Sequence, residues 1–97
     1  MPKAYWIGRV SIRDEQRYPA YLAAANTAFM KYGGRFIVRG GSFEAMEGES
    51  RERNVVVEFR DRSTAVACYR SLEYRKALAI RQLIADADMI IIDGIAD

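Results

Sequence analysis

The chain has 97 residues, a length that suits one folded domain, residues 1–97, and leaves no room for a second. Its composition, 51% hydrophobic and 29% charged with two prolines, is typical of a globular protein and excludes a disordered or collagen-like chain. Fifteen basic against thirteen acidic residues leave a net charge of +2, which argues against nucleic acid as a partner.

The cysteine content and the apolar runs indicate where the protein resides. A single cysteine, Cys68, cannot form a disulfide within the chain. The N-terminal residues 1–4 lack the long apolar stretch of a secretory signal, so we expect a cytoplasmic protein. The longest apolar runs, such as residues 89–92, are far shorter than the roughly 20 residues that cross a bilayer, so no membrane is expected as a partner.

The first predicted elements are a strand over residues 4–12 and a helix that follows the polar residues 13–15. β-Branched and aromatic residues favour the strand, and Pro19 suits the first turn of the helix, where its missing N–H does least harm. Apolar residues at steps of three and four form one helical face. This face comprises Tyr18, Tyr21, Leu22, Ala25, Phe29 and Tyr32.

The middle of the chain is predicted to form a hairpin. A Gly-Gly pair at 33–34 can close the first helix in the left-handed conformation, and residues 35–39 then form a strand. A second Gly-Gly pair at 40–41 predicts a bulge or bend, and the charged residues 47–53 predict a loop. The third strand follows over residues 54–59.

A second helical region and a last strand complete the chain. Asp61 or Ser63 can cap this region, and Ser71 is a second cap that can restart it. Helical spacing of apolar residues continues until residues 86–88, after which the β-branched residues 89–92 predict a strand.

This order of elements predicts an α+β fold, the ferredoxin-like β-α-β-β-α-β sandwich, with one antiparallel sheet in the order 4-1-3-2 and both helices on one face. Because side chains alternate along a strand, the residues facing the helices can be predicted. They are Trp6, Gly8, Val10, Phe36, Val38, Val55, Val57, Phe59, Ile90 and Ile92. The open face then carries Tyr5, Ile7, Arg9, Ile37, Arg39, Val56, Glu58, Ile91 and Asp93.

The predicted open face mixes apolar side chains with charges. So many apolar groups in water would form a patch larger than monomers usually expose, so we expect a homodimer that buries this face. Asp93, Arg9, Glu58 and Arg39 alternate in sign across the sheet. These charges either pair with each other at the dimer seam or line a polar pocket between the two sheets.

Four segments resemble one known family. They are Tyr5-Trp6-Ile7, residues 31–41 (KYGGRFIVRGG), residues 68–74 (CYRSLEY) and residues 85–88 (ADAD). The chain resembles domain-of-unknown-function family 1330 over nearly its whole length. The resemblance implies a dimeric α/β barrel, in which two ferredoxin-like sheets come together, and a kinship of fold with cofactor-free monooxygenases. It implies no established reaction and supplies no agreed catalytic residues.

The residue types restrict the chemistry. Without His, the chain lacks the commonest general base and the commonest metal ligand, and one Cys cannot complete a tetrahedral site. We therefore predict no metal and no cofactor. The two Gly-Gly pairs are not followed by the residues of a phosphate-binding loop, so a helix end and a bent strand explain them.

Seven residues are candidates for a site. Trp6 and Asn26 are placed to share a pocket between the sheet and the helices, whereas a core tryptophan and a solvated asparagine are the plainer interpretation. Arg81 stands among apolar residues where another apolar residue is expected, and Tyr69 lies on the same helical region. The remaining candidates are Arg9 and Arg39 for ligand binding and Glu58 as the base.

Two classes of function stay open. The first is a dimeric enzyme or binder that acts on a small organic molecule, aromatic or acidic, and the second is a non-catalytic module for self-association or protein interaction. A cavity lined by unpaired Arg favours the first, and a sealed interface with paired charges favours the second. Binding of RNA through Tyr5 is not expected, since the third strand offers no stacking aromatic before Phe59.

Overall fold

Residues 2–96, the part of the chain that the computed structural model describes, form four strands and three helices. In chain order they are β1 (Ala4–Ile12), α1 (Tyr18–Lys31), β2 (Arg35–Arg39), β3 (Arg53–Phe59), α2 (Arg62–Arg70), α3 (Leu72–Ile84) and β4 (Ala85–Asp93). The predicted α+β, ferredoxin-like order is confirmed. The last strand is longer than predicted, because it begins directly after α3 and includes the Asp86 to Asp88 segment.

The strands form one antiparallel sheet in the order β2-β3-β1-β4, as predicted. All three helices cover the same face, where aromatic and aliphatic side chains of both layers are excluded from water and form the core. The largest fully buried side chains are Trp6, Tyr74, Phe59, Ile84, Val10, Val57 and Cys68. Within the described residues, no helix is both long enough and apolar enough to cross a membrane.

The helix ends use the predicted residues. Gly33 adopts a φ of +73°, and the N–H of Gly34 bonds the carbonyl of Phe29 at 2.8 Å, which ends α1. Asp61 caps α2 by accepting the N–H of Thr64 at 2.8 Å. Ser71 separates α2 from α3, since its hydroxyl donates to the carbonyl of Cys68 at 2.6 Å and accepts from the N–H of Tyr74 at 3.1 Å.

The predicted sidedness of β4 is wrong. Tyr5 lies opposite Ile92 and Ile7 lies opposite Ile90, so Ile90 and Ile92 are on the open face. Ile91 and Asp93 point towards the helices instead, and Asp93 pairs with Arg62 of α2 at 3.6 Å. An almost uniform run of isoleucines has no alternation, so only the register with β1 decides which side chains are buried.

A β-bulge in β2 overturns the prediction for that strand too. Phe36 lies opposite Val57, but the next paired residue, Val38, lies opposite Val56. The extra residue turns Val38 to the open face and Arg39 to the helix side, where its guanidinium lies 5.1 Å from the ring centre of Phe36. The predicted ladder of Asp93, Arg9, Glu58 and Arg39 therefore does not form.

The open face carries an apolar row between two polar rows. The register places Ile90, Ile7, Val56 and Val38 side by side across all four strands, and we call these four residues the apolar row. One flanking row contains Ile92, Tyr5, Glu58 and Arg35, and the other contains Asp88, Arg9 and Asn54. Ile90 is 56% exposed and Val38 is 43% exposed, so the row is in contact with water in the single chain.

Candidate functional site

A cleft between the sheet and the helices contains two cavities. The outer cavity lies beside the edge strand β4 and has a volume of about 290 Å³. Its lining is largely apolar and consists of Trp6, Tyr69, Met89, Ile91 and, at the edge of the sheet, Ile90, although the Ile90 side chain lies on the open face. A concave apolar site of this size, next to buried polar groups, is the usual form of a small-molecule pocket.

The inner cavity borders the outer one, lies between α1 and the sheet, and is much smaller. Its volume is about 20 Å³, which corresponds to roughly one water molecule. Tyr18, Tyr21 and Arg53 contribute its polar groups. Trp6 and Met89 line both cavities, and the indole N–H of Trp6 donates to the Met89 sulfur at 3.0 Å. This contact therefore belongs to the wall that the two cavities share.

Gly8 leaves the space that the Met89 side chain occupies. It lies between Val55 and Met89 on the helix-facing side of the sheet. A Cβ atom at this position would lie 3.0 Å from Val55 Cγ2 and 3.2 Å from Met89 Cε. Because both distances are shorter than ordinary contacts, any larger residue at position 8 would displace the side chain that closes the inner cavity.

Aromatic rings fix Trp6 in the wall of the cleft. The indole lies 4.8 Å from Tyr74, 5.1 Å from Phe29 and 5.5 Å from Tyr69, measured between ring centres. The contacts with Phe29 and Tyr74 are edge-to-face, a favoured geometry for aromatic pairs. Since α1, α2 and α3 each supply one of these rings, the three helices together position Trp6.

Tyrosine hydroxyls gather at the inner end of the cleft. The hydroxyl of Tyr21 on α1 and that of Tyr74 on α3 are 2.8 Å apart and share a buried hydrogen bond. Burial raises the pKa of both groups above the ordinary value of tyrosine, so both stay protonated at neutral pH. The pair is therefore a neutral, polar wall in an otherwise apolar core.

Arg81 is buried next to the hydroxyl pair of Tyr21 and Tyr74. Only 6% of the residue is exposed, its guanidinium carbon lies 5.8 Å from the ring centre of Tyr21, and its buried Nε has no hydrogen-bond partner within residues 2–96. Desolvation disfavours the charged form, but the tyrosine oxygens, Tyr74 first, outweigh it and raise the pKa of Arg81. The side chain thus carries a full positive charge into the core.

Arg53 brings a second charge to the inner cavity. It begins β3 on the helix-facing side, with its guanidinium carbon 5.5 Å from the ring centre of Tyr18. Its Nε is also buried and has no partner in the described part of the chain. Burial raises the pKa of Tyr18, and Arg53 and Arg81 both oppose that rise. No carboxylate among residues 2–96 forms a salt bridge with either arginine.

Three of the seven candidate residues lie near one another on the helix side of the sheet. Trp6 and Tyr69 line the outer cavity, and Arg81 lies at the inner end. Asn26 is exposed on α1 and lines neither cavity, so it does not share a pocket with Trp6. Arg39 is exposed at the end of β2.

The other two predicted residues, Arg9 and Glu58, lie on the open face of the sheet. The carboxylate of Glu58 accepts from Arg35 at 3.1 Å and from the Tyr5 hydroxyl at 3.4 Å, with Lys3 at 3.6 Å. The bond from Arg35 holds the pKa of Glu58 below its usual range, which favours a structural ion pair over proton transfer. Arg9 donates to the carbonyl of Glu49 at 2.8 Å. A role for Glu58 as a base stays a prediction.

Several residues of the cleft were not singled out from the sequence. Tyr18 and Tyr21 were placed correctly on the apolar face of α1, but their type and spacing equally fit an ordinary core. Arg53 directly precedes the predicted third strand and Met89 begins the predicted last strand, and neither position carries a local signal. These residues meet in the cleft through contacts between distant segments, which no local sequence pattern reveals. Within residues 2–96, no three side chains of the types that bind metal ions come together.

The fold and the cleft define the class of protein: a small ferredoxin-like α+β domain with a pocket between its sheet and its helices. The chain belongs to the family described as Domain of unknown function (DUF1330), whose model matches residues 3–95. No curated protein matches it.

Solved structures share this fold at low sequence identity. A protein of unknown function from Rhodopseudomonas palustris is 19% identical, has a TM-score of 0.81, and the match covers 99% of this chain and 85% of that one. SnoaB, a cofactor-independent oxygenase from Streptomyces nogalater, is 8% identical with a TM-score of 0.68 over 100% and 97% of the two chains. A dimeric ferredoxin-like protein of unknown function from Bacteroides fragilis is 12% identical with a TM-score of 0.58 over 95% and 96%.

Proposed function

We propose that the protein is a homodimer that binds or transforms a small organic molecule, without a metal, in the cleft between its sheet and its helices. One observation carries this proposal: an aromatic-lined outer cavity of about 290 Å³ borders an inner cavity lined by Arg53, which forms no salt bridge among residues 2–96. The fold shared with a protein described as a cofactor-independent oxygenase supports metal-free chemistry on this scaffold.

The proposed dimer forms through the open face. The apolar row is exposed in the single chain, and its burial against a second copy would remove this surface from water. Similar proteins of the same fold are described as dimeric, which supports the same assembly here. This row also supports the alternative function, a module that self-associates and does no chemistry. The cavity distinguishes the two, because a purely structural dimer does not require an aromatic pocket on the other side of the sheet.

Binding of a neutral aromatic probe tests the cleft. Cinnamamide, measured by isothermal titration and by saturation-transfer NMR, should bind the wild-type protein. Ile91→Phe places extra volume in the outer cavity and should weaken binding at least about fivefold, because the larger ring occupies space that the probe needs. Leu83→Phe makes the same kind of change at a side chain that is 71% exposed on α3, and it should leave binding unchanged.

Native mass spectrometry of freshly purified protein complements the probe. A dimer that retains an added mass would support the proposal and identify a starting chemical class. A dimer without added mass, together with no binding of cinnamamide, would contradict ligand handling and favour the self-associating module. Equal weakening by both Phe substitutions would place the probe outside the cleft.

A further inference from the structure

The polarity of the cleft defines the class of ligand. We propose that the ligand is an anion with a flat apolar body, an aromatic or conjugated carboxylate or phenolate, whose negative group lies at the inner end of the cleft beside Arg53. The inference rests on the proposed function and adds the charge, the shape and the orientation of the bound molecule.

Arg53 is the group that contacts the anion. It lines the inner cavity directly, and its buried Nε has no hydrogen-bond partner in the described part of the chain. Arg53 as a whole is half-buried, but a buried guanidinium nitrogen that lacks an acceptor is costly, and buried polar groups in folded proteins usually have a hydrogen-bond partner. An oxyanion in the inner cavity would supply both the missing charge and the missing acceptor, in the geometry that guanidinium groups favour for carboxylates.

Arg81 strengthens the positive potential from behind. Its charge lies one ring away from the inner cavity, because Tyr21 lines that cavity and lies 5.8 Å from the Arg81 guanidinium carbon. The last turn of α3 provides a favourable site for one cation, which explains how the fold tolerates Arg81. That explanation does not extend to Arg53, which begins a strand. Tyr18 and Tyr21 also line the inner cavity, and their hydroxyl groups offer neutral hydrogen bonds to the same anion.

Met89 is the movable part of the site. The inner cavity holds only about 20 Å³, so a ligand that reaches Arg53 must displace the Met89 side chain. Methionine is unbranched and flexible, which makes it suited to this movement, whereas Trp6 is held by three aromatic neighbours. The flat body of the ligand would then lie against Trp6 and Tyr69 in the outer cavity.

A pair of probes that differ in charge tests the proposal. Cinnamate and cinnamamide have the same flat body and differ mainly at the group that would meet Arg53. Trp6 is the single tryptophan of the chain and lines both cavities, so its fluorescence reports binding without a label. We expect cinnamate to bind wild-type protein about tenfold or more tighter than cinnamamide, as a charge-assisted hydrogen bond requires. A parallel comparison of 4-nitrophenolate with 4-nitroanisole separates phenolates from carboxylates.

Variants of Arg53 test whether this residue causes the preference for cinnamate. Arg53→Gln should abolish the preference for cinnamate and leave binding of cinnamamide unchanged, and Arg53→Lys should restore part of the preference because it keeps the charge. Arg60→Gln is the matched control, since the Arg60 side chain is 83% exposed and lines neither cavity. It should behave as the wild type. Circular dichroism establishes that each variant is folded.

Each outcome decides the inference. Equal binding of cinnamate and cinnamamide would overturn the anionic ligand while the cleft remained the binding site. A preference for cinnamate that Arg53→Gln does not reduce would overturn the proposed orientation. Should Arg53→Gln fail to fold, the comparison of the two probes on wild-type protein still decides the charge, and Arg53→Lys decides the orientation. Binding of neither probe would overturn the inference and contradict the proposed function as well.

Discussion

The thiol of Cys68 illustrates how burial controls reactivity at a single residue. It is fully buried on the inner side of α2, and desolvation raises its pKa to about 12. Since the thiolate is the reactive form, and the raised pKa keeps the thiol protonated until the pH approaches this value, we predict a native protein inert to a disulfide reagent at about pH 8. The measurement is the rate at which the reaction with Cys68 releases the thiol of the reagent, with and without denaturant. Fast modification of the native protein would contradict the buried environment.

The hydroxyl pair of Tyr21 and Tyr74 supports a second prediction at this scale. Tyr21→Phe or Tyr74→Phe each leaves one buried hydroxyl without its partner, and each should lower the free energy of unfolding by about 1–3 kcal/mol. The double variant leaves neither hydroxyl unpaired, so its loss should be smaller than the sum by about 1 kcal/mol. Urea denaturation measures all three.

The matched control for the tyrosine pair is Tyr32→Phe. Tyr32 is half-buried beside α1, and its hydroxyl makes no hydrogen bond within residues 2–96. Its substitution should change the unfolding free energy by less than about 0.5 kcal/mol. Additive losses for Tyr21 and Tyr74 would indicate that the two hydroxyls do not stabilise one another.

The sequence predicted the location of single residues well where the residue type alone favours burial in the core. Trp6 was given a plainer interpretation as a core residue, and it is buried. Arg81 was recognised as a cation in an apolar pattern, but two of the tyrosines near it, Tyr21 and Tyr69, come from other helices, which no local pattern reveals. Asn26 is exposed and lines neither cavity, because a step of one residue turns a helix by about 100° and moves Asn26 away from the buried side on which Ala25 lies.

At the scale of elements, Glu58 connects three segments of the open face. It lies on β3, accepts from Tyr5 of β1 and Arg35 of β2, and has Lys3 nearby. These groups, Arg35 first, hold the pKa of Glu58 below that of an unfolded chain. A lowered native pKa means that the carboxylate stabilises the fold above the unfolded value of about 4.3, and that this stabilisation is lost as the pH falls through the native pKa.

Glu58→Gln tests this dependence. At neutral pH the variant should be less stable than the wild type, and the difference in unfolding free energy should shrink as the pH falls below about 4. Urea unfolding at a series of pH values measures the difference. Glu15→Gln, at an exposed glutamate without a salt bridge in the described residues, should show a difference near zero at each pH. A difference for Glu58 that does not change with pH would indicate that its ion pairs contribute nothing.

The order and bounds of the elements were largely predictable, whereas the faces of two strands were not. Glycine at residue 33 and a capping side chain at Asp61 are strong local signals, and both act as expected. The strand over Met89 to Ile92 has apolar residues on both sides, so only its pairing with β1 reveals that Ile90 faces out. The bulge at Val38 results from pairing between strands and changes the face of Arg39 without a signal in the sequence.

At the scale of the whole molecule, the two faces of the sheet have different tasks. The helix-facing side holds the cleft, and the open side holds the apolar row between two polar rows. Opposite charges occur on both flanking rows, with Asp88 beside Arg9 and Glu58 beside Arg35. A second copy rotated by a two-fold axis can therefore bury the apolar row and keep opposite charges near each other. Dimerisation would also stiffen β1 and β4, which carry Trp6 and Met89 in the cleft.

A charge in the apolar row should prevent this assembly. Ile90→Glu and, independently, Val38→Glu place a carboxylate where the proposed interface is driest, and each should raise the dissociation constant of the dimer at least about a hundredfold. Both side chains are already exposed in the single chain, so the folded monomer should persist. Sedimentation velocity across a range of concentrations measures the shift, and circular dichroism monitors folding.

Ile95→Glu is the matched control for the interface. Ile95 is 93% exposed, follows β4 and is not part of the apolar row, so a glutamate there should leave the dimer intact. If all three variants remain dimeric, the copies meet through another surface. The apolar row would then need a different partner, because a patch of this kind in water is unfavourable for a protein that stays in solution. If wild-type protein is itself a monomer at all concentrations, the dimer is excluded, while the cleft, which lies within one chain, is unaffected.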